Sequence, residues 1–329
     1  MARGTDAVAV IAPQSSGLGQ DVTVPAQAKA LPLLSESMSA TPTIYGSQAL
    51  RKRAMRTRNL ARLGTLDVGG TLEIEGTNQS LHELLPLVFP VKEDSSDPDF
   101  DGSTKLSRTY KASTADEQDY FTVFLHDGDV RRIFRDCRVN SMTLQADINQ
   151  LGRFSFDISG VRAEADTTSL TATIPSVEYG LYFEQAKVEL GDSGGTLAEV
   201  PAQSFTLTVN RNLDTGRYRL GSRFKRNLPG GLFEVTGSVT LDANPLQQKD
   251  KLYKAVLNAE WMALKFSFVD PTNKVGGQDS KLVIDLPYVL VEWPQHNITG
   301  PEAIQGAVNF TAYDDETLSP TFLHQYKLG

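Results

Sequence analysis

The chain has 329 residues, 40% of them hydrophobic and 22% charged, which is enough to build more than one core of ordinary domain size. Its net charge of −8 argues against a general nucleic-acid binder. Its single cysteine, Cys137, excludes an internal disulfide, and that thiol is either buried and inert or a nucleophile.

The first 30 residues show no periodic pattern. The apolar run at residues 7–12 is too short for the core of a secretory signal, and Asp6 precedes it. No run along the chain approaches the ~20 apolar residues of a membrane helix, so no membrane association is predicted. Gly17, Gly19 and Pro25 predict an extended N-terminal arm over residues 1–30, either flexible or tied to a neighbouring subunit.

Residues 67–76 and 234–243 repeat one pattern. In both, an acidic residue and a valine precede a glycine, and a strictly alternating run follows. Alternation with a period of two is typical of a half-buried β-strand, and its polar face is acidic in both copies. Repetition in the same register predicts a duplicated unit. The apolar positions are Leu72, Ile74, Val239 and Leu241.

A basic stretch precedes each copy of this strand. The first lies between Gly46 and Gly64 and is either a long hairpin loop or a helix at residues 48–58. Both stretches can pair with acidic protein surface or with nucleic acid, but no RNA-binding signature accompanies them. Their members are Arg51, Lys52, Arg53, Arg56, Arg58 and Arg62 in the first, and Arg217, Arg219, Arg223, Lys225 and Arg226 in the second.

One short helix is predicted after each copy. The first is expected to open at Ser80 with Glu83 as its capping-box partner, and Pro86 is expected to kink or shorten it. The second is expected to open with Asn244 as cap and Pro245 at its first position.

The remaining chain is a series of short alternating strands with turn signals between them, so the fold is predicted to be mainly β. Phe154, Phe156 and Ile158 alternate with polar residues in the first half, as Val308 and Phe310 do in the second. We predict two tandem β-sandwich or barrel units, each with one short flanking α-helix, at residues 31–175 and 176–329.

No motif predicts an enzyme. Residues 191–195 match the nucleophile loop of trypsin-like proteases, but neither His82 nor His126 has the setting of a catalytic base, so a glycine turn is favoured. Residues 97–102 match half of a calcium loop whose twelfth position is Arg108, which leaves weak calcium binding or a solvated loop. The histidines show no metal spacing, and no cofactor is predicted.

A resemblance to a known family emerges from several segments together. The run Leu33–Ser37, the basic stretch after it, and Gly64 to Gly76 with the leucine-rich helix resemble the tail tube (major tail) proteins of long-tailed bacteriophages. So do Cys137–Leu144 and the pairing of residues 205–209 with 230–242. The likeness covers most of residues 31–329 and is a pattern of strands and turns rather than a short signature.

The resemblance implies a structural virion protein made in the host bacterial cytoplasm. In that family, β-sandwich units form six-fold rings that stack into the tube through which the genome leaves. A two-unit chain implies a homotrimeric ring with pseudo-six-fold symmetry. The implied partners are other copies of itself, the tape measure protein, the tail terminator and the baseplate hub, with transient passage of double-stranded DNA.

Two sets of residues gain a role from this resemblance. The acidic strand faces are either solvated surface or the lining of the lumen, where negative charge would let DNA slide. The basic stretches are expected to stack rings against acidic surface. The lumen candidates are Glu73, Glu75, Asp157 and Asp242.

Other functions remain open alongside the tube. Another tail component, such as a baseplate hub or distal ring protein, would form isolated rings and not polymerise. A monomeric β-sandwich binding module would stay a monomer.

Overall fold

The chain folds almost entirely into antiparallel β-strands, which confirms the predicted mainly β class. The structure is a computed structural model that describes residues 6–15, 17–47, 59–89, 91–102, 104–112, 119–173, 180–242, 246–293, 295–296, 305–314 and 319–327.

Ten strands and one helix make up the first half of the described chain. The helix, α1, spans Asn78–Val88. The strands are β1 (Val8–Pro13), β2 (Leu33–Glu36), β3 (Ser39–Ser47), β4 (Asn59–Glu75), β5 (Val91–Asp94), β6 (Lys105–Lys111), β7 (Phe121–His126), β8 (Arg131–Asp147), β9 (Arg153–Gly160) and β10 (Arg162–Asp166).

The second half follows residues 174–179, so the predicted boundary near residue 175 lies outside the described residues. Its helix, α2, spans Leu246–Asn258, and the predicted cap at Asn244 and Pro245 also falls outside. Its strands are β11 (Ala186–Asp192), β12 (Ala198–Val200), β13 (Ala202–Asn210), β14 (Glu234–Asp242), β15 (Met262–Val275), β16 (Gln278–Val291), β17 (Gln295–His296), β18 (Gln305–Ala312) and β19 (Thr321–Lys327).

The two halves pair their strands in the same order. In the first half, β1 pairs with β7, β7 with β8, and β8 with β10; in the second, β11 pairs with β15, β15 with β16, and β16 with β19. Likewise β3–β4–β9–β8 matches β13–β14–β18–β16. The helix follows β4 in one half and β14 in the other, as the repeated motif predicts.

Strand β8 belongs to two sheets because it bends in its middle. Residues 131–137 pair with β7 and β10, whereas residues 138–145 pair with β9. At the bend, Asp136 has a φ of 56° and the β7–β8 register shifts. A shift of register with a left-handed residue is a β-bulge, which re-aims the strand.

A continuous central sheet runs through both halves. Its strands follow the order β2 and β3, then β4, β9, β8, β13, β14, β18, and finally the end of β16 with β17. The ladder between β8 and β13 joins the halves. One face is buried by residues that include Leu72, Phe156, Leu144, Leu207 and Val239.

Helix α1 begins three residues earlier than the sequence predicts. Its N-cap is Thr77, whose hydroxyl accepts from the Ser80 backbone N–H, and Ser80 is the reciprocal capping-box partner. The prediction of Ser80 as cap with Glu83 was therefore wrong; a threonine in extended backbone serves instead. Pro86 lies within the last turn, and the helix ends at Val88.

The N-terminal segment, predicted as an extended arm, contributes strand β1 to the sheet of β7. Ala9, Val10 and Ala12 are buried. Its following turn is held by buried Asp136, which accepts from the Gly19 N–H at 2.7 Å. Residues 8–13 of this segment therefore pack against their own chain.

Candidate assembly surfaces

The exposed face of the central sheet is polar and carries most of the predicted acidic residues. Glu73, Glu75 and Asp157 alternate with the buried positions of β4 and β9. Asp242 is the last residue of β14, and its side chain lies outside the described residues. The predicted alternation thus brings the acidic residues of β4 and β9 onto one surface.

Hydroxyl groups outnumber the acids on this face. Glu73 accepts from the Ser35 hydroxyl at 2.8 Å and lies 4.0 Å from Arg153, while Asp157 accepts from Asn140 at 2.8 Å. Neighbouring positions carry Ser155, Ser159, Thr143, Thr206, Thr208, Ser238 and Thr240. The surface is therefore weakly acidic and largely hydroxylated.

The ladder between β8 and β13 fixes how one half meets the next. It runs from Ser204 opposite Asp147 to Asn210 opposite Ser141, with no shift of register. On the polar face, the hydroxyls of Thr143 and Thr208 lie 3.2 Å apart. The main chain thus makes a regular sheet contact across the junction.

The second basic stretch lies in the long β13–β14 loop, residues 211–233, which packs on the first half. Leu228 is fully buried against Tyr120, and its carbonyl accepts from the buried Arg138. Buried Arg211 donates to the Leu87 carbonyl at the end of α1, 2.8 Å away. An arginine at the C-terminus of a helix satisfies a carbonyl that has no partner within the helix.

The basic residues of this loop have different environments. Lys225 is buried and lies 2.7 Å from Asp67 of β4, so it already has a partner within the chain. Arg223 is half-buried, and its carbonyl accepts from the Leu66 N–H. The exposed members are Arg217, Arg219 and Arg226, and next to Arg219 stands Leu220, which is wholly exposed.

The first basic stretch mostly lies outside the described residues. This applies to Arg51, Lys52, Arg53, Arg56 and Arg58. Arg62 is exposed on β4, opposite Tyr45 of β3. The hairpin of β3 and β4 also exposes Ile44, Tyr45 and Leu63, so both long hairpins present arginine beside exposed apolar side chains.

A second ladder between the halves was not predicted. Strand β19, at the end of the chain, pairs with β6 of the first half. Here Tyr326 contacts Nδ1 of His82 on α1, and Arg108 of β6 approaches the same nitrogen at 3.1 Å. Because an arginine only donates, Nδ1 accepts and His82 is neutral. Burial, aided by Arg108, lowers the pKa of His82 to about 4.

The residues that the sequence offers as candidates for catalysis or calcium binding take part in local structure. Ser193 lies in the turn after β11, and its hydroxyl donates to the Pro287 carbonyl at 3.0 Å. Cys137 is fully buried, which raises the pKa of its thiol. In residues 97–102, Asp97 and Asp101 accept from backbone N–H groups of their own loop.

No group of metal-ligating side chains occurs among the described residues. Within those residues, no helix is both long and apolar enough to cross a membrane.

Comparison with known proteins gives the chain its family. No curated protein sequence matches the chain. The phage tail tube protein family matches residues 4–312, which run from β1 to the end of β18 and include the central sheet and the long β13–β14 loop. The resemblance seen in the sequence is thereby confirmed: this chain belongs to the phage tail tube protein family.

Proposed function

We propose that this tail tube protein forms rings by extending its central sheet from one copy to the next. The observation that carries the proposal is the β8–β13 ladder, by which the first half joins the second in one continuous sheet. Because both halves pair their strands in the same order, the same contact can be made between copies. A heterologous contact repeated around an axis closes into a ring.

The ring we propose is a homotrimer with pseudo-six-fold symmetry. Each chain supplies two similar units, so three chains supply six. Closure also pairs the sheet edges that an isolated chain leaves exposed, and exposed edges otherwise invite uncontrolled association.

The polar face of the central sheet is the proposed lining of the lumen. Its opposite face is filled by the core, so it is the face that a closed sheet can turn toward the axis. Hydroxyl groups with a few acids, among them Glu73, Glu75 and Asp157, offer little to hold a phosphate backbone. Asp242 completes the proposed acidic set at the end of β14.

Stacking of rings into a tube is proposed to use the long hairpins. Strand β13 has the loop of Arg217, Arg219 and Leu220 at one end. At its other end lies a cavity of about 180 Å³ lined mainly by apolar residues, together with Asp147 and with Glu199, which lies 3.9 Å from Lys187. An apolar knob with basic neighbours at one end, and a mainly apolar hollow that includes Asp147 at the other, suit an open head-to-tail contact.

Further tail proteins complete the assembly in this proposal. The tape measure protein would fill the lumen before the DNA, and the tail terminator and baseplate hub would cap the two ends. Assembly would follow synthesis in the cytoplasm of the host bacterium, and the finished protein resides in the virion.

The proposal is tested by negative-stain electron microscopy of the purified chain together with its mass in solution. Rings with a central hole at three times the chain mass, stacking into tubes on concentration, are expected. Rings that refuse to stack at any concentration would favour a distal ring or hub protein instead. A chain that stays monomeric under all conditions would contradict the ring.

A further inference from the structure

Each edge strand of the central sheet occupies the same place in its half as a strand that is paired across the junction in the other half. Strands β2 and β3 pair with β4 as β13 pairs with β14: Ala40 lies opposite Val68, and Val209 opposite Val235. Val68 and Val235 occupy the same place in the repeated motif. The β2–β3 edge therefore corresponds to β13, but no described residue pairs with its outer side.

The opposite edge is equivalent to the end of β8. The end of β16 and β17 pair with β18 as the last part of β8 pairs with β9. Following the ladders residue by residue, Trp293 corresponds to Ser141 and Gln295 to Thr143. These are β8 residues that pair with β13, whereas on the outer side of Gln295 and His296 no described residue is paired.

Two grooves beside these strands differ in volume and in the strands that line them. Ala9 lies opposite Leu125 in the first half, as Val188 lies opposite Phe266 in the second. The groove beside the second pair has a volume of about 180 Å³ and is lined in part by the end of β8, including Ile148. Beside the first pair, the groove along β2 has about 580 Å³, and among its lining residues none comes from such a strand end.

Large side chains are exposed at both edges. Trp293 is 55% exposed and packs against Tyr253 of α2, with ring centroids 4.7 Å apart and the two rings tilted by 54°. Ile44 and Tyr45 of β3 are 65% and 59% exposed. Aromatic residues of this kind are enriched at protein interfaces and anchor them.

We propose that the outer edge of β2 and β3 pairs with Trp293, Gln295 and His296 of a second copy, in the register that β13 takes on β8. When the β8–β13 register is applied to the equivalent positions, Ser39 lies opposite Gln295 and Thr41 opposite Trp293. The occupant of the edge is thus another copy of this chain. The inference rests on the proposed ring and specifies its contact.

Cysteine cross-linking tests this register directly. The double variant Ser39→Cys/Gln295→Cys copies the position of Thr208 and Thr143, so oxidation should link separate chains into covalent dimers and trimers. Directly opposite residues on antiparallel strands have Cα atoms about 4.5–5.5 Å apart, within disulfide reach. A second variant, Thr41→Cys/Trp293→Cys, tests the adjacent pair. The native Cys137 is buried and does not interfere.

Matched variants of the same chain serve as controls. Thr143→Cys/Thr208→Cys should form its disulfide within one chain, whether or not rings form. Thr43→Cys/Trp293→Cys is displaced by two residues along the edge and should link chains at least tenfold less. Each single cysteine variant should give no linked species above background.

The outcomes separate this register from the proposed ring. Linked species from both in-register pairs, seen on non-reducing gels, support the contact. Rings seen by microscopy without in-register links, or with equal linking off register, would overturn the register and leave the ring standing. If the intrachain control links but the chain forms no rings, the proposed function fails and the contact fails with it.

Discussion

A half-buried histidine, His82, and a fully buried one, His324, connect helix α1 to strand β19. His82 faces Tyr326 and Arg108, and burial lowers its pKa to about 4. His324 is fully buried with its ring stacked on Tyr326, and burial lowers its pKa well below its usual value. Lys29 and Lys92 also lower the pKa of His82, and Asp94 raises it. Arg108 lowers the pKa of both histidines. The surroundings of both rings therefore favour the neutral imidazole.

This cluster predicts that acid loosens the contact between the halves. Because the folded-state pKa of His82 lies below its unfolded value of 6.5, its contribution to stability is complete above pH 6.5 and is lost as the pH falls toward 4. Urea unfolding should therefore show a midpoint that drops over this range. His82→Gln should flatten the drop, whereas His126→Gln, at the end of β7, should leave it as in the parent chain. If the parent chain and both variants give equal curves, the role of His82 is contradicted.

The glycines of the repeated motif are placed where neighbouring backbone comes close. A Cβ added at Gly237 would lie 2.4 Å from the Thr206 carbonyl and 2.4 Å from the Phe310 ring. At the corresponding Gly70, a Cβ would lie 2.5 Å from the Ser37 carbonyl. At this position of β4 and β14 there is no room for a side chain.

We expect Gly237→Ala to destabilise the fold by about 1–3 kcal/mol, because a packed core does not absorb an extra methyl group. The control is Gly216→Ala in the long loop, where the nearest neighbour of an added Cβ is 3.6 Å away. Its free energy of unfolding should change by less than about 0.5 kcal/mol. Urea titration of both variants measures the difference, and a similar loss at both sites would rule out the close approach as the cause.

Elements differ in how well their pattern predicts them. Strands β4, β9 and β14 alternate cleanly, because one face meets the core and the other faces outward. Strand β1 is buried at four consecutive residues and lacks alternation, so its sequence looks like an irregular arm. The cap of α1 was missed because Ser80 and Glu83 imitate a capping box three residues late.

Partners of strands could not be predicted where they are distant in the sequence. The β8–β13 ladder and the β6–β19 ladder join residues far apart, and no local pattern names the partner of an edge. The burial of Lys225 was missed for the same reason. Its partner, Asp67, belongs to the other half, so a basic run in the sequence concealed one residue with a structural role.

The long β13–β14 hairpin predicts a separation of ring formation from stacking. Reversing the charges of Arg217→Glu/Arg219→Glu leaves the buried anchors Leu228 and Lys225 untouched. We therefore expect rings to persist and tubes to be lost. Each exposed ion pair is worth only ~0–1 kcal/mol, but every ring repeats the contact, so the small contributions add up.

A control with the same charge change is available on α2. Lys251→Glu/Lys254→Glu alters exposed side chains of that helix and should leave tubes of normal length. Tube length is measured by electron microscopy at equal protein concentration. Tubes of normal length from the loop variant would contradict the stacking role.

At the scale of the whole molecule, the β6–β19 ladder would make the junction inside a chain different from a junction between chains of the proposed ring. Strands β5 and β6 are inserted after α1 in the first half, whereas only residues 259–261 separate α2 from β15. Within the described residues, the β6–β19 ladder therefore occurs once and has no counterpart in the other half. In the proposed ring of three chains, junctions with a β6–β19 ladder alternate with junctions that lack one. The ring as a whole is therefore three-fold symmetric, even where its lumen approaches six-fold symmetry.

The charge of the proposed lumen is the property that most directly affects passage of DNA. Glu73→Lys/Glu75→Lys replaces two acids of the polar face with bases. If that face lines the tube, assembled tubes of this variant should retain linear duplex DNA that parent tubes release. The retention should weaken steeply with salt, because each neutralised phosphate contributes a slope of about −0.9 to log affinity against log salt. Co-sedimentation of short duplexes with tubes over a salt series measures both effects.

The control must add the same charge elsewhere on the tube. Glu164→Lys/Glu260→Lys changes exposed acids on β10 and after α2, away from the central sheet. Short duplexes bound by this variant lie on the outer surface and are accessible to nuclease, whereas duplexes held in a lumen are protected. Nuclease-protected DNA with Glu73→Lys/Glu75→Lys, and none with the control, would place the polar face inside the tube. Equal accessibility in both would mean that β4 faces outward, and the assignment of the lumen would have to move to another surface.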